Sequence, residues 1–119
     1  MPTNAPDEIS IIHKAYDFYL ALNKIINTIP KKDRFTLGVK IEKMSLDLIV
    51  NFYQANHDNG QKRLDILNKA DLKLKILKML VRALHDLENI NNKKYLRLEA
   101  RLKEIGRMLG GWIKDTQKF

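Results

Sequence analysis

Four stretches of this chain carry apolar residues at alternating intervals of three and four, divided by short polar or proline-containing breaks. That spacing returns to one side of a 3.6-residue helix at every turn, so each stretch predicts an amphipathic helix. The first is expected over 7–28. Ile12, Ala15 or Tyr16, Tyr19, Leu22 and Ile26 form its stripe, and Ile11, Phe18 and Ile25 widen it. Ile29-Pro30 ends it, because a residue before proline is steered out of helical geometry. Lys31, Lys32 and Asp33 then form a turn, with Asp33 the candidate N-cap of the next helix. That second helix is expected over 34–56, with Leu37, Ile41, Met44, Leu48, Phe52 and Ala55 on its core face and Lys40, Lys43 and Asp47 off it. The run from Asn56 to Gly60 reads as a turn, since Asn and Gly readily take positive φ.

The third helix, expected over 61–90, would be about 45 Å long at 1.5 Å per residue. It carries two apolar stripes. Leu67, Ala70, Leu74, Leu77, Val81 and Leu84 keep the spacing of a bundle seam. Leu72, Ile76, Met79, Ala83 and Ile90 fall on another side. A bundle needs one buried stripe per helix, so the second set is a candidate oligomer interface; a wide core with a few exposed leucines would also produce it. After a connection at 89–92, the fourth helix is expected over 93–115 on a seam of Tyr95, Leu98, Leu102, Ile105, Leu109 and Trp112. Gly106, Gly110 and Gly111 interrupt it, each costing about 1 kcal/mol relative to Ala. A close neighbour or a fraying, glycine-capped end accounts for them equally well. Gly106 and Gly110 share a face and would open a shallow groove beside Trp112. Four such helices with short turns make an all-α, up-down-up-down four-helix bundle. At 119 residues the chain is read as a single domain, 1–119.

Charge adds a direction to this picture. The net charge is +8, and it is uneven. Residues 1–30 sum to −1, 31–60 to +1, 61–90 to +3 and 91–119 to +5. A basic second half favours polyanionic partners, nucleic acid before membrane. On the third helix Lys75, Lys78 and Arg82 form a basic ridge, with Asp71–Lys75 and Arg82–Asp86 at ion-pair spacing. On the fourth, Lys94, Arg97 and Arg101 form one track, and Lys103, Arg107 and Lys114 an adjoining one.

Catalytic and metal chemistry find little footing. The chain has no cysteine, which excludes disulfides and thiolate metal sites. His13, His57 and His85 are scattered, and none stands in the Glu-x-x-His order of a di-iron bundle. The expectation is a non-enzyme with no cofactor, metal or catalytic residue. No apolar run approaches the roughly 20 residues of a membrane span. The polar opening lacks a signal-peptide core, so a cytoplasmic protein is the default.

The stretch Gly106-Arg107-Met108-Leu109-Gly110-Gly111-Trp112-Ile113-Lys114 resembles the closing signature of Avd, the accessory protein of diversity-generating retroelements. Arg34-Phe35-Thr36-Leu37-Gly38, followed by Ile41-Glu42 and Leu46-Asp47-Leu48, resembles that family's second-helix opening. Together the likeness runs from about Tyr16 to Lys114. It implies a basic homopentameric barrel of four-helix bundles. It also implies binding to the retroelement's reverse transcriptase and to RNA and DNA, in support of mutagenic cDNA synthesis. Carried onto these residues, Phe35, Leu37, Leu109 and Trp112 are expected as packing anchors, and Arg34, Arg107 and Lys114 as charges that reach a partner. The runner-up is the ribosomal intervening-sequence group, a basic bundle docking an acidic partner, whose ending lacks the pattern at 106–112.

Overall fold

The breaks between stripes become the corners of the fold. The computed structural model describes residues 5–118, with side chains from Ser10 onward. Helix α1 spans Ala5–Ile26. Its core line is Ile11, Ile12, Ala15, Phe18, Leu22 and Ile26, all buried. Phe18 therefore belongs to the centre of the stripe, while Tyr16 is exposed and Tyr19 half-buried. Ile29 folds under the corner and is buried too.

Helix α2 occupies 31–57 in three joined pieces: an α-helical turn Lys31–Asp33, a π-helical turn Arg34–Gly38 and the α-helix Val39–His57. Pro30 stands at the N-cap, so the helix begins three residues before the expected point. A proline there loses nothing, because the first backbone N–H groups of a helix have no internal acceptor anyway. Asp33 is thus not the N-cap. Its carboxylate instead accepts a 2.9 Å hydrogen bond from the Asn89 amide, tying this corner to the connection between the third and fourth helices. Gly38 is buried against α1, and a Cβ there would come 3.0 Å from Ile26 Cγ2.

Helix α3 runs Gly60–Asp86 and α4 runs Asn92–Thr116. Gly60 starts α3 at φ +57°, a backbone position that costs a side chain strain. Its end comes four residues before the expected one. Leu87 closes the helix, Glu88 turns to φ +62°, and the backbone N–H groups of Glu88 and Asn89 reach back to the carbonyls of His85 and Leu84, both at 2.9 Å. That pair of bonds is a Schellman ending, usually built on glycine. The chain then buries Ile90 and restarts at Asn91, whose side chain accepts from the Lys94 N–H at 2.8 Å.

Each helix packs on its chain neighbours, and α4 closes back on α1, so the described residues form an all-α four-helix bundle. The seam expected on α3 is buried throughout, as are Leu98, Leu102, Ile105, Leu109 and Trp112 on α4. Trp112 sits 6.3 Å from the Phe52 ring, beneath the Arg63 guanidinium. Asn51, buried on α2, accepts from Lys73 Nζ at 3.2 Å, which satisfies its carbonyl inside the α2–α3 packing.

Candidate nucleic-acid and partner surfaces

The basic residues fall into three environments. On α3, Lys75 is held by Asp71 at 2.9 Å and Arg82 by Asp86 at 3.5 Å, so part of that ridge is neutralised locally. Lys78 lies across Gly106, where a Cβ would meet its Nζ at 3.3 Å and Leu74 Cδ2 at 3.4 Å. The close neighbour that the glycines suggested exists at Gly106 alone. Gly110 and Gly111 face open space, so no groove runs on beside Trp112.

On α4 the seam turns Lys103, Arg107 and Lys114 outward, with Gly110 and Gly111 among them. Arg107 is clamped by Glu104 through two hydrogen bonds, at 3.1 and 2.7 Å. This fork holds the Glu104 carboxyl below its ordinary value and raises the guanidinium further. Arg97 and Arg101 are exposed on the side toward α1, while Lys94 is half-buried beside the α3–α4 corner. Among the described residues Arg97, Arg101, Lys103 and Lys114 have no ion-pair partner. Together with Lys93 and Lys94 in its first turn, these four carry the uncompensated positive charge of the fourth helix among the described residues.

Arg34 is placed differently. Its Nη2 donates to the Ile29 carbonyl at 3.1 Å and its guanidinium lies 6.0 Å from the Phe35 ring. It therefore closes the α1–α2 corner from a half-buried position, and less of it is open to a partner than of the α4 cations. Phe35 is not a packing anchor: it is 65% exposed. Leu37 points inward, and residues two apart on a helix do not share a face.

Among the residues expected at an oligomer interface, Leu72, Ile76 and Met79 are exposed and Ala83 is half-buried. Ile90 is not among them; it is 6% exposed, lies beyond the end of α3 and plugs the core. Leu87, 58% exposed at the helix end, takes the place on the stripe that Ile90 was expected to fill. Sequence reading missed a second unpartnered stripe. Phe35, Val39, Leu46, Val50 and Tyr53 line the outer side of α2, all exposed. Its signal was present in the spacing of seven from Val39 to Leu46 and from Leu46 to Tyr53.

At the α3–α4 corner His85, Asn89, Asn92 and Lys94 line an open hollow of about 830 Å³. His85 Nε2 meets Asn92 Oδ1 at 2.5 Å and Nδ1 meets the Asp86 carboxylate at 3.2 Å. The Asn92 contact, then the Asp86 contact, raise its pKa above the ordinary 6.5. The Tyr95 ring lies 4.7 Å away, and its hydroxyl donates to Glu99 at 2.9 Å, which raises that phenol.

A protein-family model described as bAvd-like matches residues 10–116. No curated protein matches the chain.

Proposed function

Since the chain belongs to the bAvd-like family, that of Avd, the accessory variability determinant of diversity-generating retroelements, we propose that it binds the retroelement's reverse transcriptase together with RNA and cDNA, and so supports mutagenic cDNA synthesis. Family membership carries a retroelement accessory role, and the family is non-catalytic. The finer reading rests on the fourth helix. Its exposed sides hold Arg97, Arg101, Lys103 and Lys114 without carboxylate partners among the described residues, on a chain whose last 29 residues sum to +5. Rows of unpaired cations spaced along a rigid rod bind phosphates by releasing counterions, with little demand on sequence. Lys78 extends the same charge onto α3, where Lys75 and Arg82 are held by Asp71 and Asp86.

The apolar stripe on α3 supports a homo-oligomer, pentameric if it follows the family's barrel. Leu72, Ile76 and Met79 are large side chains left in water on a domain that already has a complete core. The proposed seat of action is the cytoplasm.

A titration with single-stranded RNA at low and high salt, run beside a pull-down with the cognate reverse transcriptase, tests the reading. Binding to both, with RNA affinity collapsing as salt rises, is expected. Capture of the transcriptase without RNA binding at low salt would leave a protein-docking scaffold and remove the nucleic-acid role.

A further inference from the structure

We infer that Phe35 is a stacking platform for one base of a single-stranded nucleic acid, with Lys31 and Lys32 placed to hold the adjoining phosphates. This rests on the nucleic-acid reading above and adds to it a contact with a base, outside the fourth helix.

The ring is held outside by the local backbone. The core line of α2 runs through Gly38, Ile41, Ser45, Leu48 and Phe52, all buried. At 3.6 residues per turn, one more α-turn back would set Arg34 on that same side. The turn Arg34–Gly38 is instead π-helical and holds an extra residue. That residue swings Arg34 aside to a half-buried position and carries Phe35 to the outer side, where 65% of it is exposed.

Cations surround the ring. Lys31 and Lys32 precede Phe35 by four and three residues, so both stand on its side of the helix, one turn away. Both are exposed, and among the described residues neither has a carboxylate partner. The Arg34 guanidinium lies over the ring, 6.0 Å from its centre, and is itself anchored on the Ile29 carbonyl at 3.1 Å. The acid of this turn, Asp33, is turned away to the Asn89 amide.

Three cations around a bare aromatic ring fit a partner that alternates flat π faces with negative charge. A single strand does so at every nucleotide, and its bases stack on an aromatic side chain with little regard to their identity. A duplex keeps its bases stacked on one another and offers this corner phosphates alone. An acidic protein segment would satisfy the lysines and leave the ring unused.

The test compares the full chain with Phe35→Leu, with Phe35→Trp and with Lys31→Gln plus Lys32→Gln. Each is titrated with a short single-stranded RNA, an abasic oligonucleotide of the same length and a duplex, and native mass is measured beside each titration. Phe35→Leu is expected to lose about 5- to 150-fold in affinity for the RNA. Its abasic and duplex binding, its salt slope and its mass are expected to stay unchanged. Phe35→Trp is expected to keep the affinity, with its exposed indole quenched by RNA above the signal of buried Trp112. The lysine variant is expected to flatten the slope of log K against log salt by about 1.4 for two single-strand contacts. Equal RNA affinity in Phe35→Leu and the parent would overturn the platform. A loss shared with the abasic strand, or accompanied by lost mass, would overturn it too, because the ring would then act through fold or assembly. An unchanged slope in the lysine variant would overturn the phosphate contact. A parent chain that binds no RNA would instead remove the nucleic-acid reading itself.

Discussion

Glu88 holds the least expected backbone angle among the described residues. Its φ of +62° completes the Schellman ending of α3, yet a side chain there costs about 1–2 kcal/mol that glycine would not pay. Part of that is returned through the greater freedom of glycine in the unfolded chain. Glu88→Gly is therefore expected to raise stability by about 0.5–1 kcal/mol in chemical denaturation. This also explains why the helix end was not legible: the usual glycine or asparagine signal is absent, and only the folded corner places Ile90 in the core. Gly110 makes the opposite case. Open space surrounds it inside a helix, so Gly110→Ala is expected to stabilise by up to about 1 kcal/mol. At Gly106 the same change presses on Lys78 and Leu74 and gains less. His85 gives a pH prediction. Both of its ring nitrogens face oxygen acceptors, an arrangement that the doubly protonated ring satisfies best. Its raised pKa means that its stabilising contribution is complete below pH 6.5 and is lost as pH rises through the higher folded value. NMR titration is expected to place His85 above 6.5, and Asn92→Ala to bring it down.

At the scale of elements, the sequence pattern of α2 predicts a single apolar face, because Lys40, Lys43 and Asp47 supply a polar side. The exposed line from Phe35 to Tyr53 lies beyond those charges. The π-helical turn at its start was not legible either, since no sequence signal separates it from an α-turn. It is fitted tightly: Gly38→Ala puts a methyl 3.0 Å from Ile26 Cγ2 and 3.4 Å from the Asp33 carbonyl. A loss of about 1–3 kcal/mol is expected from such overpacking, read as a lower denaturation midpoint. For α4, reversing Arg97, Arg101 and Lys103 to Glu is expected to abolish RNA binding at moderate salt without changing helical circular dichroism. Arg107→Gln is expected to matter much less, because Glu104 already holds that guanidinium. Equal effects from the two variants would count against the division drawn between paired and unpaired charges.

For the whole molecule, charge acts through counterion release. Removing three phosphate-contacting cations is expected to flatten the dependence of log K on log salt by about 2 for single strands. The sequence by itself determined the four helices and the α3 and α4 seams through its hydrophobic rhythm, and the basic second half through its charge counts, because both are properties of local sequence. The motifs at 34–48 and 106–114 determined the family. Arg107 is held by Glu104 three residues before it, a local pairing along one helix, whereas the tertiary structure decided that Arg34 is spoken for by the Ile29 carbonyl where the α1–α2 corner folds back. The tertiary structure also decided that Ile90 is core and Phe35 is surface. Those facts depend on where a corner turns and what lies across the bundle, and such long-range contacts exist only once the chain has closed on itself.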